Sequence, residues 1–358
     1  MRTVGVEEEL LLVDEATGEP RAVSGAVLAA APDDCGLEQE LRLQQLEIAT
    51  RPESGMREPA AEIRRWRAEA GRSAAKVGAV PAALATSPVP VDPSLSSGER
   101  YAWMREEFAL TAEEQLTCGC HIHVAVESDD EAVAVLDRIR PWLSVLLALS
   151  GNPPFWQGRD TGYAGYRSRV WGRRPSAGPT EAFGSAERYH EQVKALIGTG
   201  ALLDEGMIYF DARLSRNYPA VEIRVADVCL EAEDTVLLAA PARGLVETAA
   251  REWRAGRPPA ESGVGLLRLA SWRAGRSGLD GPLVQPLLWT PAPAETVARS
   301  LPEHTGETPA EAGDLADTEQ RLAALLERGS GAGRQREVFE KTGELAAVIK
   351  DCAERTAA

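Results

Sequence analysis

Histidine and cysteine are scarce in this chain of 358 residues, with four and five respectively. The cysteines, at Cys35, Cys118, Cys120, Cys229 and Cys352, are odd in number and widely scattered. That argues against a disulfide framework and fits a reducing cytoplasm. Cations are short as well: 39 Lys and Arg stand against 55 Asp and Glu, a net charge of −16. A nucleic-acid surface needs clustered Lys and Arg to neutralise phosphates, so that class of partner is set aside, although a local basic pocket stays open. No apolar run approaches the roughly 20 residues of a membrane span. The longest, Trp142 to Leu149, is short and lies within a helical pattern. The chain opens on a strand pattern and not on a charged, then apolar leader, so a cytoplasmic location is expected. There is no G-x-x-x-x-G-K-[ST], and no G-x-G-x-x-G follows a strand, which leaves no phosphate loop and no Rossmann site. The G-S-G-A-G run at 329–333 reads as a linker.

What is present is a chain with 44% hydrophobic and 26% charged residues, the balance of a globular protein of one large or two ordinary domains. The first informative stretch is Val4 to Asp14, V-G-V-E-E-E-L-L-L-V-D. Read as a strand, its side chains alternate, so Glu7 and Glu9 share a face about 6 to 7 Å apart. Two carboxylates that close repel unless something positive lies between them, and a hard divalent cation would answer that repulsion. A solvated acidic tip is the plain alternative. Glu8 points the other way, with Val6 and Leu10, and is expected to pair with an arginine or to lie at the sheet's edge.

Gln115 to Val126, Q-L-T-C-G-C-H-I-H-V-A-V, is a second strand. Cys118, Cys120, His121 and His123 suggest zinc at first sight. The pleat separates them: both cysteines fall on the apolar face with Ile122, and both histidines on the other. Ala220 to Cys229 repeats the pattern, with Val221, Ile223 and Val225 inward and Glu222 and Arg224 on the opposite face. Gly206 to Arg213 reads as a further strand, and Ala79 to Ser87 as a buried one. Glu40 and Glu47 stand seven apart within Glu38 to Ile48. That is two turns of one helix face, whereas a strand would need a bulge or bend to bring both to one site. Spacing alone favours a solvated amphipathic segment there. Asn152 to Pro175 is a long loop rich in Gly, Pro and aromatics that carries Arg159, Arg167, Arg169, Arg173 and Arg174. In so acidic a chain it reads as an anion-binding loop. From Glu231 onward the pattern is helical.

Several strands therefore share one grammar: apolar on one face, acid, His or Arg on the other. An α+β fold follows, with a mainly antiparallel sheet of about six strands, helices on its outer face and an ionic cavity on the other. The ordered motifs G-V-E-E-E-L at Gly5, the acid pair Glu40 and Glu47, T-C-G-C-H-I-H-V at Thr117, I-R-P-W-L at Ile139, G-R-D-T-G-Y at Gly158 and P-A-V-E-I-R-V-A-D at Pro219 resemble the carboxylate–amine ligases of the glutamate–cysteine ligase type 2 family.

The resemblance runs from about residue 3 to residue 250. It implies a single glutamine synthetase-like catalytic domain over 1–358, with a core at 3–250 whose curved sheet forms an open funnel. Residues 251–358 would then be a helical extension packed on it. It implies ATP-dependent joining of the γ-carboxylate of glutamate to an amino-acid amine through an acyl phosphate, with Mg²⁺ or Mn²⁺ at oxygen-rich sites. Carried over by position, Glu7, Glu9, Glu40, Glu47, His123 and Glu222 match metal ligands, and Arg224 and Arg167 match catalytic arginines. Arg159, Arg213 and His121 join them as substrate or ATP contacts. A homo-oligomer, a dimer for preference, is expected. The chain has Pro219-Ala220 and Arg213-Leu214-Ser215 where the family often has P-T and R-P-S. Cysteine and other amino acids, non-standard ones included, therefore stay open as acceptors. A phosphotransferase that modifies a guanidino or amine nitrogen, a catalytically silent binding protein and a zinc hydrolase are the competing readings.

Overall fold

A computed structural model describes residues 1–358 apart from 34, 95, 97 and 307–312. Strand β1 (Val4–Asp14) is the axis of a seven-stranded sheet. It is flanked by β2 (Leu37–Gln39), β3 (Gln45–Ala49), β4 (Ala79–Ala82) and β5 (Gly119–Ala125). A small hairpin of β6 (Phe155–Trp156) and β7 (Arg159–Asp160) stands apart. The sheet ends with β8 (Ala212–Leu214) and β9 (Ala220–Asp227). The order is β2-β3-β1-β5-β9-β8, with β4 pairing with the far half of β1, and every pairing is antiparallel. The sheet is open, as the alternating pattern predicts, with one strand more than the expected six.

Helices Arg57–Ala75, Asp129–Ile139, Leu143–Leu149 and Ala232–Arg254 pack on the apolar face. There Val4, Val6, Cys120, Ile122, Val221 and Ile223 meet Ile63, Val133, Leu146 and Leu238 in one buried cluster. The cysteines lie in the core as small hydrophobes, where burial pushes the Cys118 and Cys120 thiols well up and out of reach of metal chemistry. At the far end of β1 the alternation stops mattering: Leu10 to Val13 are all buried, because the C-terminal helix Leu345–Ala357 closes over that end with Val348, Ile349 and Cys352.

Glu8 is fully buried on the helix side, and Arg67 meets it there. The guanidinium grips the carboxylate with two bonds, Nε to Oε2 at 2.9 Å and Nη2 to Oε1 at 2.8 Å. Its remaining hydrogens go to the carbonyls of Cys229 at 2.7 Å and Leu230 at 2.9 Å. Thr235 Oγ1 donates to Glu8 as well. The pair thus ties β1 to helix Arg57–Ala75 and to the segment that follows β9.

Four readings of the sequence need correction. Glu38 to Ile48 is neither a helix nor a bulged strand but the β2–β3 hairpin. The strand read at Gly206 to Arg213 shrinks to Ala212–Leu214, because Glu205–Met207 forms a 3₁₀ turn capped by Asp204. The buried strand read at Ala79 to Ser87 ends at Ala82. The run at 329–333 is a helix junction, not a linker: Ser330 accepts from Gly333 N and starts helix Gly331–Thr342.

Glu8→Ala should destabilise the protein by about 3–5 kcal/mol, because it strands a buried guanidinium. Paired replacement, Glu8→Leu with Arg67→Met, should cost less than the sum of the two single changes. Denaturant unfolding of the four proteins measures this, and strict additivity would show that the pair is not coupled.

Candidate active site

Cross-strand register builds the site, since residues directly opposite on antiparallel strands share a face. Glu9 stands opposite Glu47 of β3, and Glu7 opposite His121 of β5. His123 stands opposite Glu222 of β9, and Glu222 opposite Arg213 of β8. One row across five strands therefore presents acid, imidazole and guanidinium to the open side. These side chains line a cavity of about 340 Å³. A shift in the β5–β9 register between Cys120 and Ile122 lies beside Arg224, which also faces this cavity.

Glu40 reaches the same place from the β2–β3 connection. Arg42 pins that connection by donating from Nε to Gln115 O at 2.9 Å, and Gln45 donates to Thr117 O at 2.8 Å. Two groups of ligand atoms result: Glu7, His123 and Glu222, and Glu9, Glu40 and Glu47. Within each group the atoms lie inside 4.8 Å of one another.

Burial works against the charge on Glu7, but its contacts with His121 and His123 outweigh it and hold the carboxyl below the usual range. The imidazole nitrogens come within 3.4 and 3.1 Å of it. Burial likewise opposes ionised Glu222, yet Arg224 and Arg213 bring it to about 2. Arg213 donates to it from Nε at 2.7 Å. The second group behaves in the opposite way. Burial, reinforced by Glu40, raises Glu9 to about 7 and lifts Glu47 well above the carboxylate range. Burial, then Arg224, lowers His121 to about 4, so it is a neutral ring at pH 7.

A metal fits these residues. His123 Nδ1 and Nε2 are buried without a hydrogen-bond partner, and three mutually repelling carboxyls crowd around Glu9. Carboxylate oxygens with one imidazole suit Mg²⁺ or Mn²⁺, not zinc.

The predicted residues divide. Glu7, Glu9, Glu40, Glu47, His121, His123, Arg213, Glu222 and Arg224 converge on the cavity. Arg167 lies just behind it, laid over Gly119 so closely that a Cβ there would sit 2.1 Å from its Nη2. This is why Gly119 interrupts T-C-G-C-H, and its N–H donates to Glu9 at 2.6 Å. Arg159 is exposed in the β6–β7 hairpin, away from the cavity lining, so the structure does not bring it to the site. Of the other loop arginines, Arg174 lines the cavity and Arg173 pairs with Glu114. Sequence reasoning missed Arg100, Tyr101, Trp171 and Tyr209. Only Trp171 carried a signal, as an aromatic in the basic loop.

Comparison with known proteins agrees with this geometry. The family model "Glutamate-cysteine ligase family 2" matches residues 3–351. The chain belongs to this family. A Streptomyces avermitilis protein named "Putative glutamate--cysteine ligase 2-1" is 59% identical over 360 residues, covering 99% of both chains. A Streptomyces coelicolor relative is 59% identical and covers each chain fully. In fold, the chain is similar to the Francisella tularensis glutamate–cysteine ligase solved with AMP. The TM-score is 0.70 at 13% identity, over 99% of this chain and 88% of that one. A bifunctional glutathione synthetase from Pasteurella multocida gives 0.68 at 14% identity, over 99% of this chain and 52% of that one. Among the described residues no helix is long and apolar enough to cross a membrane.

Because Glu9 and Glu47 are held protonated up to about neutral pH, a divalent cation must displace protons to bind there. Mg²⁺ or Mn²⁺ affinity should fall as pH drops through 7 and rise above it, with protons released on binding. Calorimetry in buffers of different ionisation enthalpy reads this. An affinity that stays flat between about pH 6 and about pH 8 would contradict it.

Proposed function

We propose that this protein joins the γ-carboxylate of glutamate to the amine of an amino acid, cysteine or another, through a γ-glutamyl phosphate. As a member of its family the chain is an ATP-dependent carboxylate–amine ligase; the donor, the acceptor and the intermediate are our reading. The observation that carries it is the pair of three-ligand clusters on one sheet face, with Arg224 beside them.

The chemistry needs no protein nucleophile. A carboxylate is a poor electrophile, so an oxygen of the γ-carboxylate attacks the γ-phosphorus of ATP and ADP departs. The acceptor nitrogen then attacks the acyl carbon, phosphate leaves, and the nitrogen's proton passes to a cavity carboxylate. Mg²⁺ or Mn²⁺, held by Glu7, His123 and Glu222 and by Glu9, Glu40 and Glu47, would supply charge stabilisation at the phosphates. Arg224 adds a fixed cation: its Nη1 donates to Glu222, which orients it, and its buried Nε is left for substrate. His121, neutral at pH 7, supports Glu7 without adding charge. We also take the whole chain as one catalytic unit, since Val348, Ile349 and Cys352 of the C-terminal helix are part of the core beneath β1.

Incubation with ATP, Mg²⁺, glutamate and a panel of amino acids, followed by mass spectrometry, should reveal a γ-glutamyl dipeptide together with ADP. Glu9→Gln and Arg224→Ala should each lower ADP formation by about 10²-fold or more with the fold intact. ADP without any dipeptide would favour a phosphotransferase, and full activity in either variant would refute the site assignment.

A further inference from the structure

A second cavity of about 330 Å³ adjoins the first, and Trp171 and Arg224 line both. Its wall carries Arg167, Arg169, Arg224 and Arg268 with a single carboxylate, Asp211. Arg167 is only 1% exposed, yet its Nε and Nη2 have no hydrogen-bond partner, and the Nε of Arg224 has none either. These are strong donors held ready in a site that water barely reaches, and leaving them unpaired is costly. Trp171 fixes one of them, lying 5.2 Å from the Arg167 guanidinium.

Asp211 is the odd member. Its backbone is pinned on both sides: its N–H donates to Gly178 O at 3.0 Å and its carbonyl accepts from Arg224 N at 2.9 Å. Its side chain makes no hydrogen bond or ion pair with the described residues. Burial raises that carboxyl to about 6, with Arg169 the largest opposing influence. A pocket with several guanidinium groups and one carboxylate is not a plain phosphate site, because the carboxylate would repel the anion. It complements a ligand that carries two negative groups and one positive group.

We propose that this second cavity binds the α-ammonium and α-carboxylate of the donor amino acid. Asp211 takes the ammonium, Arg169 and Arg268 take the α-carboxylate, and the side-chain carboxylate to be activated reaches the wall formed by Arg167 and Arg224. The inference rests on the ligase reading above. Chemistry decides between donor and acceptor. The acceptor's amine must lose a proton to attack, and a carboxylate paired with it would hold it as ammonium. The donor's α-amine takes no part and must stay unreactive, which is what pairing with Asp211 ensures. The shared wall then delivers the donor's far carboxylate to the cavity where the two ligand clusters stand.

The test compares glutamate with glutarate, which lacks the amine, in wild type, in Asp211→Asn and in Arg268→Ala. Asp211→Asn is isosteric and Arg268 is exposed, so both variants should fold, as circular dichroism would verify. In Asp211→Asn the KM for glutamate should rise about tenfold or more while the KM for ATP holds. The wild-type preference for glutamate over glutarate should collapse. Arg268→Ala should weaken glutamate and glutarate unequally, with glutamate losing more. If wild type turns over glutamate and neither variant alters its KM, the inference falls and the ligase reading stands. If wild type turns over no glutamate, the ligase reading fails. Calorimetry of wild type and Asp211→Asn with α-amino acids and their deaminated counterparts then decides the cavity separately. Amine-dependent binding lost in the variant supports the assignment, and its absence overturns it.

Discussion

Like charges on one sheet face repel, and β1 imposes that repulsion by placing Glu7 and Glu9 on the same side with Glu47 directly opposite Glu9. The protein offsets it in two ways. Around Glu7 it supplies imidazoles, and around Glu222 guanidiniums, so those acids stay ionised. Around Glu9 it supplies too little, so burial and Glu40 hold protons on the acids. That asymmetry is what an apo metal site looks like: one half already balanced by protein cations, the other awaiting an ion.

The opposite face of β1 has to be rigid for this to persist. Glu8 lies between Glu7 and Glu9 and points into the helices, where Arg67 takes it in a two-bond grip. A buried ion pair is a poor source of stability, but it fixes register. A slip of one residue along β1 would put Glu8 in the cavity and Glu7 and Glu9 in the core. The Arg67–Glu8 bond penalises that slip directly, so the cavity's geometry depends on a contact on the far side of the sheet.

How much of this could be read in advance follows from strand period. Glu7 and Glu9, His121 and His123, and Glu222 and Arg224 were legible because alternation fixes a side chain's face without reference to the rest of the fold. The same argument removed Cys118 and Cys120 from the site and set Glu8 apart for an arginine. Glu40 and Glu47 were not legible from spacing, because the chain reverses between them and no period spans a hairpin; only the family resemblance paired them. The basic loop was recognised by composition, but composition cannot tell which guanidinium turns inward. Arg159 therefore belonged to the expectation and not to the cavity, while Arg174 and Trp171 belong to the cavity. Asp211 gave no sign, since it stands just before a short strand that the sequence reading began too early.

The central claim is that two metal centres are written into the sheet's register. Anomalous scattering from crystals grown with Mn²⁺ and a non-hydrolysable ATP analogue tests it most directly. Peaks should appear at Glu7–His123–Glu222 and at Glu9–Glu40–Glu47. Crystals that bind the nucleotide analogue with no peak at either cluster, or with Mn²⁺ held elsewhere on the chain, would contradict it.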